Sequence, residues 1–207
     1  MLRVSIITVV YNGRDHIESA IQSVVSQTYK NIEHIIVDGG STDGTQDVIK
    51  EYGDKIAKFV SEKDNGLYDA TNKGIKLATG DIIGTLNADD FYADSNSIER
   101  VVEAMEREHA DALWGDLVYV KAGDESKMTR VWKSGSYEPG KFQKGWMPPH
   151  PAFFVRKYIY DRFGLFRADF KIAADYELML RFLEKNKVKG MYLPGVLVKM
   201  RTGGKTG

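Results

Sequence analysis

The sequence of 207 residues contains no cysteine, which excludes disulfide bonds and thiolate metal sites. A chain without disulfides suits a reducing compartment, and we expect the protein in the cytoplasm. Lysine plus arginine and aspartate plus glutamate number 29 each, so neither sign of charge is in excess. Domains that bind nucleic acids are usually clearly basic, and we therefore expect no nucleic-acid partner.

Long apolar runs are absent as well. No stretch approaches the roughly 18–20 apolar residues that a membrane span needs. The first residues, MLRVSIITVVYN, lack the basic start and the long apolar core of a secretory signal peptide. Apolar residues make up 43% of the chain and charged residues 28%, which is ordinary for a globular protein. We interpret residues 1–207 as one domain with two halves, 1–110 and 111–207.

The first half alternates two kinds of segment. β-Branched apolar segments predict strands, and segments with apolar residues three and four apart predict helices. The predicted strands cover 3–10, 32–38, 56–62 and 81–87, and the predicted helices cover 15–27, 43–52, 67–80 and 95–109. Asp43 with Gln46 fits a capping box at the start of the second helix, and Gly80 is the predicted end of the third. Strands that are apolar on both faces and alternate with helices predict a parallel sheet covered on both sides.

The second half follows a different pattern. Two strands around residues 122–124 predict an antiparallel hairpin, residues 134–149 predict a loop, and a short strand and two helices follow. The predicted fold class is therefore α/β, with a mostly parallel central sheet, helices on both faces and a smaller antiparallel part in the C-terminal half.

Two adjacent acids, Asp89 and Asp90, directly follow the fourth predicted strand. The first three strands also end in polar, aromatic or glycine residues, at 11–12, 38–40 and 64–66. Because ligands of open α/β sheets bind beyond the carboxyl ends of the strands, these four ends predict one polar crevice. A carboxylate pair without neighbouring His or Cys suits Mg²⁺ or Mn²⁺, which can hold a diphosphate. The alternative is that the pair only caps the following helix or turns the chain.

A glycine-rich turn joins the second strand to the second helix, in the sequence VDGGSTDGT (37–45). Such a turn could cradle a phosphate at the start of the helix. It matches neither the dinucleotide-binding pattern nor the P-loop pattern, and its glycines alternatively serve only the tight turn.

Five motifs occur in order along the chain: VSIITVVYN, IIVDGGSTDGT, NGLYDATNKGIKLATGDIIGTLNADDFY, HPAFFVRK and AADYELMLRF. In this order they resemble glycosyltransferase family 2, which has the GT-A fold, and in particular bacterial enzymes of O-antigen and colanic-acid-type polysaccharide assembly. The resemblance covers about residues 1–201. It implies that 1–110 is the nucleotide-sugar-binding half and 111–207 the acceptor-binding half.

The resemblance also implies a donor site. Asp90 and His150 would bind Mg²⁺ or Mn²⁺, and His150 is alternatively a hydrogen-bonded structural residue. The implied nucleotide-sugar-binding residues are Thr8, Tyr11, Asn12, Asp38, Gly39, Asn72, Lys73 and Asp89. Two positions depart from the family: Gly39 stands where many members have a second acid, and Thr71 where many have arginine. The nucleotide therefore stays open among UDP, GDP and dTDP, with UDP favoured.

On the acceptor side, Asp175 matches the general base of inverting members. Without the resemblance, Asp175 is a negative charge at a helix N-terminus, and the helix dipole stabilises an anion there. Trp146 either stacks on an acceptor sugar or packs inside the loop. Residues 184–189 are either a solvated helix end or a contact with anionic lipid.

The expected function is that of a metal-dependent inverting glycosyltransferase. The resemblance implies an acceptor saccharide that is carried on a lipid diphosphate, at the inner face of the cell membrane with peripheral membrane contact. Two alternatives stay open: a sugar-phosphate nucleotidyltransferase, and a catalytically silent protein that binds nucleotide-sugars or glycans. The sequence predicts no oligomeric state.

Overall fold

Strands and helices alternate along the chain, which the structure, a computed structural model, describes over residues 1–202. The strands are β1 (Val4–Val10), β2 (Ile32–Asp38), β3 (Lys58–Ser61), β4 (Ile82–Asn87), β5 (Asp90–Tyr92), β6 (Ala112–Lys121), β7 (Asp124–Trp132), β8 (Phe153–Arg156) and β9 (Gly190–Thr202). The helices are α1 (Arg14–Val25), α2 (Thr45–Glu51), α3 (Leu67–Leu77), α4 (Ser97–Arg107), α5 (Lys157–Phe163) and α6 (Ala174–Met179). Helix α6 continues as a π-helix over Leu180–Lys185, and short 3₁₀ helices lie at Gly53–Lys55, Phe142–Lys144 and His150–Ala152.

Within the described residues the strands form one sheet in the order β3-β2-β1-β4-β8-β6-β9-β5, and β7 pairs with β6. Strands β3, β2, β1 and β4 are parallel, and Val4 of β1 lies opposite Ile32 of β2 and Ile82 of β4. Strands β7 and β8 run antiparallel to β6, whereas β9 runs parallel to it. The predicted α/β fold class, with its antiparallel part in the second half, is confirmed.

Strand β1 lies inside the parallel part and is buried along its whole length. Its alternate residues face opposite layers, as the pleat of a strand requires. Ile6 belongs to a core cluster that includes Val101 of α4, whereas Ile7 belongs to a cluster that includes Ile75 of α3. Because helices cover both faces, the inner strands are apolar without alternation.

Two predicted helix ends are wrong. Helix α2 begins at Thr45, and the predicted capping box does not form: Asp43 accepts a hydrogen bond from the Thr45 backbone N–H at 3.0 Å, while Gln46 donates to the Ser41 carbonyl at 2.9 Å. Helix α3 ends at Leu77, before Gly80, because the next residue is already extended.

The sequence reading did not predict strands β5 and β9. Strand β5 has only three residues, and β9 contains a proline and a glycine and shifts register against β6 near Asp116. Strand β9 lies between β6 and β5, so it fixes the short strand that begins at Asp90.

Among the helices of residues 1–202, none combines the length and apolar character needed to cross a membrane.

Helix α3 approaches β1 closely at Gly74, and this contact generates a stability prediction. A Cβ at Gly74 would lie 2.3 Å from Cγ2 of the buried Ile7. Alanine favours a helix over glycine by about 1 kcal/mol, but overpacking a core costs about 1–3 kcal/mol, and the branched Ile7 cannot move its Cγ2 away alone. Gly74→Ala should therefore lower the free energy of unfolding by about 1–2 kcal/mol in urea titrations.

The matched control is Lys76→Ala, an exposed position on the same helix. It should change the free energy of unfolding by no more than about 0.5 kcal/mol. A Gly74→Ala variant that is more stable than the wild type would contradict the close packing of α3 on β1.

Candidate functional site

A cleft of about 310 Å³ opens at the carboxyl ends of β1 and β4. Its walls come from the β1–α1 connection, the glycine-rich turn, the start of α3 and the end of β4, and they are formed by Val9, Val10, Tyr11, Asn12, Gly13, Arg14, Asp15, His16, Asp43, Leu67, Asn87, Ala88 and Asp89. The volume is at the lower end of the range for small-molecule sites. The cleft therefore lies where the strand ends predicted a crevice.

The acid pair lies at the turn that joins β4 to β5. Asp89 is partly buried, whereas Asp90, the first residue of β5, is completely buried. One Asp90 carboxylate oxygen, Oδ2, accepts a hydrogen bond from the Asn87 side chain at 3.2 Å, and Oδ1 has no partner within residues 1–202. Burial, and then the neighbouring charge of Asp89, raise the pKa of Asp90 well above its ordinary value. A bound cation would give the unpartnered oxygen a partner and stabilise the ionised form of the carboxylate.

These residues fit a divalent cation that is completed by substrate. Within residues 1–202, no group of three or more acidic, histidine or cysteine side chains is placed to hold a metal by itself. Mg²⁺ and similar ions are commonly held by one or two carboxylates together with substrate phosphates and water. Asp90 and Asp89 could supply those carboxylates.

A line of polar contacts connects the acid pair to Asp175. The Asn87 side-chain nitrogen lies 3.3 Å from Nε2 of His150, and Nδ1 of His150 lies 3.5 Å from Oδ2 of Asp175. Burial lowers the pKa of His150, which favours the neutral ring. Both ring nitrogens therefore face protein groups, so the structure supports the structural alternative for His150, and direct metal binding stays a prediction.

Asp175 is oriented by its own helix and by α3. Ala173, just before α6, has a φ of 67°, a left-handed conformation that costs a residue with a Cβ about 1–2 kcal/mol. Oδ1 of Asp175 accepts hydrogen bonds from the Tyr68 hydroxyl at 3.2 Å and the Tyr176 backbone N–H at 2.9 Å. Oδ2 is left on the side of His150. One carboxylate oxygen is thus fixed, and the other faces His150.

Tyr68 was not predicted from the sequence. Its ring stacks on Phe166 with centroids 5.6 Å apart, and burial, followed by the charge of Asp175, raises the pKa of its hydroxyl. The hydroxyl therefore stays a donor. The sequence feature that could have indicated Tyr68 is its position in the first turn of α3, after Asp64-Asn65-Gly66. An aromatic residue at that position is equally typical of the hydrophobic core.

Three predicted donor-binding residues meet at the ends of β1 and β2. Tyr11 is 57% exposed, and its ring carbon Cδ2 would be 3.3 Å from a Cβ at Gly39. The same Cβ would be 2.6 Å from a carboxylate oxygen of Asp64, so this acid, at the end of β3, stands beside Gly39. Asn12 accepts a hydrogen bond from the Thr42 backbone N–H at 3.0 Å. These contacts tie the connections after β1, β2 and β3 together.

Asp38 is also at this edge, but its carboxylate is buried and already partnered. It accepts hydrogen bonds from the Ser41 backbone N–H at 3.0 Å and from the Ser61 hydroxyl at 2.6 Å. Asp38 therefore fixes the glycine-rich turn to β3, and its contact with a nucleotide base stays a prediction.

Three other predicted donor-binding residues have partners within the protein, and their contact with a nucleotide-sugar stays a prediction. Thr8 is completely buried, and its hydroxyl lies 2.9 Å from Nε2 of His34. Asn72 is occupied by the backbone of Phe166, to which it donates at 2.8 Å and from which it accepts at 3.0 Å. The Lys73 ammonium pairs with Glu62 at 2.9 Å. In each case the polar group already contacts a neighbour within the protein, so a contact with the nucleotide-sugar would require that neighbour to be released.

Trp146 is partly buried in an aromatic cluster. Its ring makes edge contacts with Trp114 and Phe142, with centroids 5.9 and 5.3 Å apart, and its indole N–H donates to the Ser134 carbonyl at 2.7 Å. Packing is the role that the structure describes, and acceptor stacking stays a prediction.

Comparison with known proteins places this geometry in a family. An uncharacterized glycosyltransferase of Mycobacterium tuberculosis is 34% identical over 181 residues, which cover 86% of this chain and 68% of that protein. The S. aureus protein TarS 1-349, solved with UDP, superposes with a TM-score of 0.80 at 17% identity, over 97% of this chain and 61% of its own. The mannosyltransferase PcManGT of Pyrobaculum calidifontis, solved with GDP-Man and Mn²⁺, gives 0.73 at 20% identity, over 99% and 58%.

The fold is that of the GT-A glycosyltransferases. Residues 5–166 match the family described as Glycosyl transferase family 2, and the chain belongs to that family. The chain spans about two thirds of the curated relative and about three fifths of the solved structures.

The buried His34 behind the cleft generates a prediction about pH. Burial lowers the pKa of His34 from 6.5 to about 3, so the folded protein keeps the ring neutral while the unfolded chain takes up a proton below pH 6.5. The unfolded state then binds more protons, and stability falls on acidification by about 2 kcal/mol between pH 6.5 and pH 5. Urea titrations across this range should show the loss.

A His34→Gln variant should lose the His34 part of that slope and keep the part due to the buried His150, although its stability at pH 7 is expected to be lower. The control is His16→Gln, at an exposed position, which should keep the slope of the wild type. Equal slopes in all three proteins would show that His34 is not the group responsible.

Proposed function

We propose that this chain is a metal-dependent inverting glycosyltransferase that moves a sugar from a nucleoside-diphosphate donor to an acceptor hydroxyl. One observation carries the proposal: Asp90 and Asp175 lie at the two ends of a single line of polar contacts through Asn87 and His150. In this proposal Asp90 would help to bind the leaving diphosphate and Asp175 would take the proton, and the contacts through Asn87 and His150 support assigning both to one site.

The nucleoside would lie across the ends of β1, β2 and β3. The exposed ring of Tyr11 offers a face for stacking, and Asp64 beside Gly39 offers a carboxylate to the polar edge of a base. UDP is the donor nucleotide that we favour, since TarS, the solved neighbour with the higher TM-score of the two compared, was determined with UDP, and GDP is the next choice because PcManGT holds GDP-Man.

The diphosphate would meet the acid pair. Asp90 and Asp89 would hold Mg²⁺ or Mn²⁺, which acts as a Lewis acid on the departing diphosphate. Asn87 donates to Asp90 and so fixes the orientation of that carboxylate before any ligand arrives.

Asp175 would act as the general base. Tyr68 and the Tyr176 backbone N–H hold Oδ1, so Oδ2 is the oxygen left to accept the proton of the attacking hydroxyl. A carboxylate held through one oxygen cannot rotate freely, and this restriction keeps Oδ2 beside His150.

The acceptor is proposed to be a lipid-linked saccharide of bacterial surface-polysaccharide assembly, met at the inner face of the cell membrane. The segment that precedes Asp175 supports a nearby apolar contact, because Ile172 is 83% exposed and Phe170 is exposed beside Lys171. The division into a donor half (1–110) and an acceptor half (111–207) is proposed on the same basis.

The proposal is tested by incubating the protein with Mn²⁺ and UDP-, GDP- and dTDP-sugars. We expect slow release of nucleoside diphosphate from one donor, which removal of the metal with EDTA should stop. Exchange of pyrophosphate into the donor would instead indicate nucleotidyl transfer, and saturable binding without turnover, also in the presence of saccharide acceptors, would indicate a silent binding protein.

Two isosteric variants separate the proposed roles. Asp175→Asn should lower transfer by about 10²- to 10⁴-fold and leave the Kd for donor unchanged, because only the proton acceptor is removed. Asp90→Asn should raise the Kd for donor in Mn²⁺ by at least about tenfold, while its thermal stability without metal stays equal or rises, because a buried unpaired charge is removed.

The control is Asp54→Asn, an exposed acid of the 3₁₀ helix Gly53–Lys55 that does not line the cleft, which should change neither quantity. Normal transfer by Asp175→Asn would overturn the assignment of the base, and unchanged Mn²⁺ dependence of Asp90→Asn would overturn the metal site.

A further inference from the structure

Arg201 lies near the end of β9 and is the basic side chain that reaches the turn of the acid pair. It is only 7% exposed, although a charged side chain is rarely buried without specific partners. It lies outside residues 5–166, the stretch that matches the family.

One hydrogen bond connects Arg201 directly to the acid pair. Its Nη1 donates to the backbone carbonyl of Asp89 at 2.7 Å. That carbonyl belongs to the peptide group that joins Asp89 to Asp90. Its position therefore sets the direction in which both acids leave the backbone.

The guanidinium is itself held from three sides. Nε donates to Glu125 of β7 at 2.8 Å, and Nη2 donates to the Ser19 hydroxyl of α1 at 2.9 Å. The ring of Phe91 lies 4.6 Å from the guanidinium carbon. Elements that are far apart in sequence thus fix the donor that holds the Asp89 carbonyl.

These contacts need the shape of arginine. Its planar fork points several N–H groups in fixed directions and can stack on a ring at the same time. A lysine ammonium at this position could keep the charge, but it could not reach the Asp89 carbonyl, Glu125 and Ser19 together.

We infer that Arg201 is a positioning residue, which fixes the Asp89–Asp90 peptide and thereby sets the affinity of the acid pair for a divalent cation and diphosphate. This inference rests on the proposed function for its ligand, but the positioning itself exists in the free protein. Glu125 and Ser19 act through Arg201 and not through contact with substrate.

The test uses Arg201→Lys and the milder Glu125→Gln, which removes the charge that holds the guanidinium and leaves Arg201 in place. The matched control is Arg100→Lys. Arg100 also bridges to β9, donating to the Val196 carbonyl at 3.0 Å and to Asp94 at 3.1 Å, but it has no contact with the Asp89 carbonyl.

Two measurements are made on each protein. The first is hydrogen exchange of the backbone N–H groups of residues 89–92 without ligand. The second is the Mn²⁺ requirement, which is the Mn²⁺ concentration that gives half of the maximal UDP binding, measured by calorimetry. A merely structural role would lower stability in all variants and would not move the Mn²⁺ requirement.

We expect Arg201→Lys to speed exchange at 89–92 and to raise the Mn²⁺ requirement about tenfold, and Glu125→Gln to raise it about threefold, since a hydrogen bond to a charged donor is lost or weakened. Arg100→Lys should change neither the exchange rates at residues 89–92 nor the Mn²⁺ requirement. If Arg201→Lys does not fold, Glu125→Gln decides.

Folded variants with the wild-type Mn²⁺ requirement and wild-type exchange would overturn the inference. If the wild type binds none of UDP, GDP and dTDP with Mn²⁺, the proposed function fails, and unchanged exchange in the variants would then overturn the positioning role independently.

Discussion

The burial of the Asp90 carboxylate is the constraint on which the site depends. A carboxylate without water around it is costly when ionised, and one of its oxygens has no partner among the described residues. The protein nevertheless places this group at the start of a strand that is paired to β9, where it cannot turn towards solvent. Positive charge beside this carboxylate would therefore stabilise its ionised form, and a divalent ion bound together with a diphosphate would supply that charge.

The same constraint explains why the polar groups of the site are connected and not scattered. Asn87 gives Asp90 a hydrogen bond and also lies beside His150, which in turn lies beside Asp175. Each member limits the rotation of the next, so the distance between the acid pair and Asp175 is set by packing before any ligand arrives. Such prior orientation is what makes charged groups effective in a cleft, since little reorganisation is then needed during reaction.

The strand ends and the acid pair could be predicted from the sequence because parallel strands bring their carboxyl ends to one edge. The inner strands were predicted within two residues because their apolar character is local. The partner of Asn72 could not be predicted, since its side chain is held by Phe166, a residue 94 positions away that no local pattern indicates. Strand β9 was missed for a related reason: its charged residues and its proline hide a strand that is defined by pairing with β6 and β5.

These long-range partners divide the fold into parts with different tasks. The first four parallel strands supply the edge, but strands from the second half determine how the acids at that edge are held. Strand β9 pairs with β5 on one side and with β6 on the other, so a change in the packing of β6 and β7 is transmitted to the turn of Asp89. The antiparallel part of the sheet therefore supports the edge that carries the acid pair, through the pairing of β9 with β5 and the hydrogen bond from Arg201 to Asp89.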